Sequence, residues 1–83
     1  MVEVMVKFLG ATAQTAGAAQ KTLALPDGAT LRDLEAYLRA LGIDLDTEEI
    51  IVTLNSRGLG QWPAGRRFVS GDVVAVFPNI TGG

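Results

Sequence analysis

The sequence predicts one small α+β domain, a mixed sheet of four to five strands packed on one main helix. Three observations carry that reading. Val2, Val4, Val6 and Phe8 alternate with Glu3, Met5 and Lys7, the period of a half-buried strand. Leu31, Leu34, Leu38 and Leu41 fall on one helical stripe. Residues 73–77 are apolar on both faces, as a strand in the middle of a sheet must be.

The remaining elements follow in order. Residues 10–20, rich in Gly, Ala, Thr and Gln, have no strong period and read as a loop with at most one helical turn. Residues 21–25 read as a second strand with Leu23 and Leu25 inward, giving an antiparallel hairpin with the first. Pro26-Asp27-Gly28 is a turn signal. Thr30 is placed to cap the helix, with Asp33 in the capping-box position, and Gly42 to end it. Residues 43–49 form an acidic connection. Residues 50–55 read as a third strand with Ile50, Val52 and Leu54 on one side, and residues 57–68 as a Gly-rich loop with room for a short edge strand. Gly71-Asp72 is a second turn, and Pro78 stops the last strand. With one long helix and the two Val-rich terminal strands side by side, this order is that of the β-grasp, or ubiquitin-like, fold. Residues 1–78 make the domain, and residues 79–83 make a flexible tail.

Composition excludes more than it suggests. The chain of 83 residues holds no Cys and no His, which removes disulfides, thiolate nucleophiles, thiolate and imidazole metal sites and the commonest general base. A formal charge of −2 without a basic stripe argues against nucleic acid. No apolar run approaches the ~20 residues of a membrane helix, and the alternating N-terminus lacks the form of a signal peptide. A cytoplasmic protein that is not itself an enzyme, and that binds neither a metal nor a cofactor, is the expectation.

The chemistry lies in the last residues, Gly82-Gly83. Residues without Cβ pass through channels too narrow for side chains and accept the backbone conformation a channel imposes. A terminal carboxylate is a poor electrophile until its oxygen becomes a leaving group, so such a tail suits adenylation by another protein. Two terminal glycines alone are also what a frayed end looks like. Their context decides: the segment 71–83, Gly-Asp-Val-Val-Ala-Val-Phe-Pro-Asn-Ile-Thr-Gly-Gly, resembles the C-terminal signature of the MoaD/ThiS family of sulfur carriers. Lys7-Phe8, the segment 26–31 and Val52-Thr53-Leu54-Asn55 fall where similar family segments lie, and the length is nearer that of MoaD than of ThiS. A charged, Arg-containing segment common in the family is replaced by residues 11–16, and Asn79 stands where a second Pro is common.

The resemblance implies the cycle. An adenylyltransferase of the ubiquitin-activating type, using ATP and Mg, activates Gly83. A sulfurtransferase pathway converts it to a thiocarboxylate, and an acceptor takes the sulfur, here most in keeping with molybdopterin synthesis and a large subunit such as that of molybdopterin synthase. Gly82 gives access; Phe77, Pro78, Ile80 and Thr81 are the expected partner contacts. Three other readings stay open: a ubiquitin-like modifier conjugated through Gly83, a carrier for thiamin, tRNA or cysteine synthesis, and an interaction module without tail chemistry.

Alternation also predicts that Phe77, Val73 and Ala75 form an exposed apolar patch on the open sheet face, beside the tail. Arg57, Arg66 and Arg67 read as a solvated basic loop, the alternative being contact with an acidic partner or a phosphate. Asp44, Asp46, Glu48 and Glu49 lack the pattern of a calcium loop and read as solvated. Trp62, beside Pro63, reads as a loop anchor.

Overall fold

The first and last strands lie together at the centre of the sheet, as their composition demands. A computed structural model of the protein describes residues 1–47 and 49–79. Strand β1 (Val2–Phe8) pairs antiparallel with β2 (Gln20–Leu25) and parallel with β5 (Val73–Pro78). Strand β3 (Ile50–Leu54) runs antiparallel to β5 and turns back into the short β4 (Arg57–Gly58), so the sheet order is β2-β1-β5-β3-β4. Helix α1 (Ala11–Ala16) joins β1 to β2, helix α2 (Leu31–Ala40) joins β2 to β3, and a 3-10 turn (Leu59–Gln61) follows β4. This is the β-grasp arrangement.

Helix α2 forms where its signals place it. Asp33 accepts the Thr30 N–H at 2.8 Å, satisfying a donor that the first turn leaves orphaned. At the other end Gly42 takes a φ of +92°. There the Ile43 N–H reaches Leu38 O at 3.1 Å and the Gly42 N–H reaches Arg39 O at 3.0 Å, the two bonds of a Schellman stop. Between these caps Leu31, Leu34 and Leu38 are buried against Val4, Val6 and Phe8 of β1, Leu54 of β3, and Val74 and Val76 of β5. Among the described residues no helix is long and apolar enough to cross a membrane.

Three details differ from the sequence reading. Residues 11–16 form a helix, not a loop with a single turn, and its Thr12 and Ala16 are buried. Asn55 ends no strand: with φ values of 51° and 69°, Asn55 and Ser56 form the two-residue turn between β3 and β4, of the type whose twist matches a hairpin. Phe68, placed in the loop, is in the core at 3% exposure, its N–H bonded to Ala29 O.

The core makes a direct demand. Leu34 is fully buried, and Leu34→Ala is expected to lower unfolding free energy by about 2–5 kcal/mol through lost transfer energy and a residual cavity. Urea unfolding followed by Trp62 fluorescence checks this; a loss under about 1 kcal/mol would mean that the site collapses around the smaller side chain.

Candidate functional site

Strand β5, at the centre of the sheet, runs to the last described residues, Pro78 and Asn79, and this end is held on both sides. Along β5 successive residues turn their backbone groups alternately to β1 and β3. Val76 O accepts from Leu9 N on the β1 side, and Asn79 N donates to Glu49 O at 2.7 Å on the β3 side. The nitrogen of Pro78 therefore faces the β1 side, where β1 has already ended at Phe8, so the missing N–H breaks no ladder bond. Gly10 fills that space instead. Its backbone adopts φ 58° and ψ −140°, and a Cβ on it would lie 3.1 Å from Pro78 Cγ. The Thr12 hydroxyl, buried at the start of α1, lies 2.5 Å from Leu9 O and 3.0 Å from Val76 O, tying α1 to the last turn of the strand. Beside the exit a groove of about 330 Å³ opens between Thr12, Thr15, Ile43, Asp44, Ile50 and Pro78.

The register separates the two faces of β5. Val74 and Val76 are fully buried on the helix side. Phe77 lies opposite Ile51, Ala75 opposite Thr53 and Lys7, and Val73 opposite Met5, all on the other side of the sheet. Met5, Ile51, Val73, Ala75 and Phe77 are each half-buried. The patch expected there is present as a partly covered apolar stripe, not a fully exposed one.

The other end of β5 is fixed by a polar knot. The Asp72 carboxylate, at 4% side-chain exposure, receives Arg66 Nη1 at 2.9 Å and Nη2 at 3.2 Å. It also receives the Val69 N–H at 3.0 Å and Asn55 Nδ2 at 3.0 Å. Asn55 Oδ1 in turn accepts Val73 N, so the β3–β4 turn is laced to the first residue of β5. Burial pushes the Asp72 pKa up, but the hydrogen bonds from Arg66, Val69 and Asn55 and the Arg66 charge outweigh it, and the carboxyl lies below its ordinary value. Trp62 anchors the loop as expected, its indole N–H donating to Leu54 O at 3.1 Å, with the Arg57 and Arg66 guanidiniums over its ring at 4.5 and 4.3 Å. Arg66 is thus no solvated loop residue, whereas Arg57 and Arg67 are exposed.

A family model now bears on this geometry: that of the ThiS family matches residues 6–83. The chain belongs to the ThiS family. Its relatives are small ubiquitin-like sulfur carriers and modifiers. The putative molybdopterin converting factor subunit 1 of Pyrococcus furiosus is similar at 27% identity and a TM-score of 0.77, over 96% of this chain and all (100%) of that one. The small archaeal modifier protein 1 of H. volcanii shares the fold at 20% identity and a TM-score of 0.75, over 96% of this chain and 100% of that one. So does a chain from the complex of subunits 1 and 2 of the molybdopterin-converting factor of Helicobacter pylori, at 22% and 0.66, over 99% and 100%. Curated protein sequences give no match.

In this ThiS-family chain the expected site residues divide. Phe77 and Pro78 lie at the exit, Phe77 on the open face and Pro78 against Gly10. Ile80, Thr81, Gly82 and Gly83 lie outside the described residues, as does Glu48 of the acidic connection. Asp44 and Asp46 do not stand free: Asp46 pairs with Arg39 at 2.9 Å and Asp44 Oδ1 accepts Asp46 N. Sequence reading missed Gly10, Thr12 and Asn55, which hold β5 at its two ends. The available signals were a Gly two residues after the end of a strand and a Thr two residues later.

Gly10→Ala is expected to cost about 1–3 kcal/mol, since φ 58° with ψ −140° is strained for a residue with a side chain and the new methyl would crowd the Pro78 ring at 3.1 Å. Thermal unfolding measures it, and an unchanged midpoint would mean that the Pro78 ring yields. For Asp72 the folded-state pKa is depressed. Its stabilisation is therefore present above the unfolded value of about 3.9 and is lost as pH falls through the lower, folded value. Asp72→Asn should be less stable by about 1–3 kcal/mol at pH 7, and the gap to the parent should narrow below about pH 4. Urea midpoints across pH test this; a gap independent of pH would remove the charge from the account.

Proposed function

We propose that this chain is a sulfur carrier acting through the carboxylate of Gly83, in molybdopterin synthesis. The observation that carries this reading is the family match, which runs through Gly82-Gly83 and joins that segment to a strand ending at a held exit. In the first step a Gly83 carboxylate oxygen attacks the α-phosphate of ATP, bound with Mg on a partner adenylyltransferase, and pyrophosphate leaves. A sulfurtransferase persulfide then displaces AMP to give an acyl disulfide, and a partner thiolate attacks the sulfurtransferase's sulfur, forming a disulfide there and releasing the Gly83 thiocarboxylate. The ATP, the metal and the acid–base groups belong to the partner; this chain supplies an acyl group without side chains and a surface that presents it. We place the cycle in the cytoplasm.

The reach of the segment constrains how partners bind. Fully extended, residues 80–83 span at most about 14 Å. A reacting centre buried in a partner must therefore come close to Asn79, which requires docking on the domain surface around the exit. The apolar stripe of Met5, Ile51, Val73, Ala75 and Phe77 is that surface. The association of subunits 1 and 2 in the H. pylori converting factor supports a large catalytic subunit as one such partner.

Incubation with an activating enzyme, ATP and a sulfur donor, followed by intact-mass spectrometry, tests the proposal. The expected product carries sulfur in place of one oxygen at Gly83 and is absent when Gly83 is deleted. Phe77→Glu, on the open face, should lower kcat/KM for activation by about tenfold or more while the fold is kept. Amide conjugates to lysine in place of a thiocarboxylate would make the chain a modifier, and no modification by an enzyme active on another carrier would reject the tail chemistry.

A further inference from the structure

A second groove, of about 450 Å³, lies at the end of the domain away from the tail. It runs between the first turns of α2 and the 3-10 turn. Its lining includes Leu31, Leu59 and Trp62, the last held by the bond from its N–H to Leu54 O. Its walls and surroundings are cationic. Arg32 lines it, Arg57 lies over the Trp62 ring, and Arg67 pairs with Thr30, the residue before Leu31. Among the described residues the ion pairs are Met1 with Asp27, Arg39 with Asp46 and Arg66 with Asp72, so Arg32, Arg57 and Arg67 have no carboxylate partner. Glu35 is the single acid on the lining.

This cationic rim is placed on a protein of net charge −2 whose opposite end carries Asp44 and Glu49 beside Pro78. We propose that the groove between α2 and the 3-10 turn docks an acidic peptide segment of a protein partner, with one apolar side chain seated on Leu31, Leu59 and Trp62. An apolar floor with separated guanidiniums fits carboxylates spaced along a peptide. A phosphate needs donors that converge on one point, and Arg66, the guanidinium best placed to join Arg57 there, is held by Asp72. Because β5 starts at this end and delivers the tail at the other, such a partner would hold the carrier without covering Gly83.

The test is an NMR titration of the full chain with a blocked pentapeptide of one Leu flanked on each side by an Asp and a Glu. No activating enzyme is present, so failure here leaves the carrier reading intact. Saturable shifts are expected at Leu31, Arg32, Leu59 and the Trp62 indole N–H. Affinity should fall about tenfold in the double variant Arg32→Glu, Arg67→Glu, and also when Ser replaces the central Leu of the peptide. Arg32 and Arg67 are exposed, so the variant should fold; Glu35→Lys, which should tighten binding, gives a second reading of the charge. Shifts that do not saturate, that fall on Met5, Ile51 and Phe77, or that both charge variants leave unchanged would overturn the proposal. So would inorganic triphosphate competing at the same residues with equal affinity.

Discussion

The parallel pairing of β1 with β5 is the constraint on which the rest of this domain depends. It joins residues 5–8 to residues 73–76, nearly the two ends of the described chain. Closing so long a loop is costly in chain entropy, and everything between the two strands serves to repay the closure with buried surface. The hairpin partner β2 covers the outer side of β1, β3 covers the outer side of β5, and α2 closes one face over Val4, Val6, Val74 and Val76. The strand that leads to the tail is therefore an interior strand with partners on both sides. A pull or torsion on the tail is met by two ladders, where an edge strand would meet it with one.

Register is the second consequence. A slip of one residue in β5 would turn Val74 and Val76 outward and send Val73, Ala75 and Phe77 to the core. Hydrophobicity alone resists this poorly, because both sets are apolar. The specification comes from polar groups at the strand's ends. At its start, Asp72 gathers Arg66, Asn55 and the Val69 N–H, and Asn55 binds Val73 on both backbone groups. At its end, Gly10 admits the Pro78 ring and Thr12 reaches Val76 O. A buried ion pair contributes little net stability in general but fixes geometry, and here the geometry it fixes is which face Phe77 shows.

Much of this was legible in the sequence because the signals were periodic or local. The β1 alternation, the α2 stripe with its capping residues, and the doubly apolar β5 each dictate an element and its buried face without reference to anything distant. What escaped had its cause elsewhere in the chain. Helix α1 has too short an apolar pattern to announce itself, and its burial is decided by Val76 and Pro78, over 60 residues away. Asn55 looked like the last strand residue because its role depends on Asp72 and Val73 across the sheet. Arg66 looked solvated because its carboxylate partner sits on the other side of a turn. Phe68, isolated among Gly and Arg, gave no period to follow. The last residues are a different case: Gly82-Gly83 gave no period or packing signal, and they lie outside the described residues.

A short tail makes the precision of the exit matter. Residues 80–83 span at most about 14 Å, so on the proposed function the direction in which the domain releases the chain at Asn79 would set where the Gly83 carboxylate can reach. If Pro78 and Asn79 swivelled freely, the volume within its reach would widen and the chance of meeting a partner's reactive centre would fall accordingly. The ring of Pro78 against Gly10 and the Asn79–Glu49 bond remove this freedom at the last described residues. The sequence change from Pro-Asn through Ile-Thr to Gly-Gly runs from restricted to permissive backbones in that order. For the proposed function, a held exit and a permissive backbone are two halves of one requirement: the domain would aim the acyl group, and the partner would shape it.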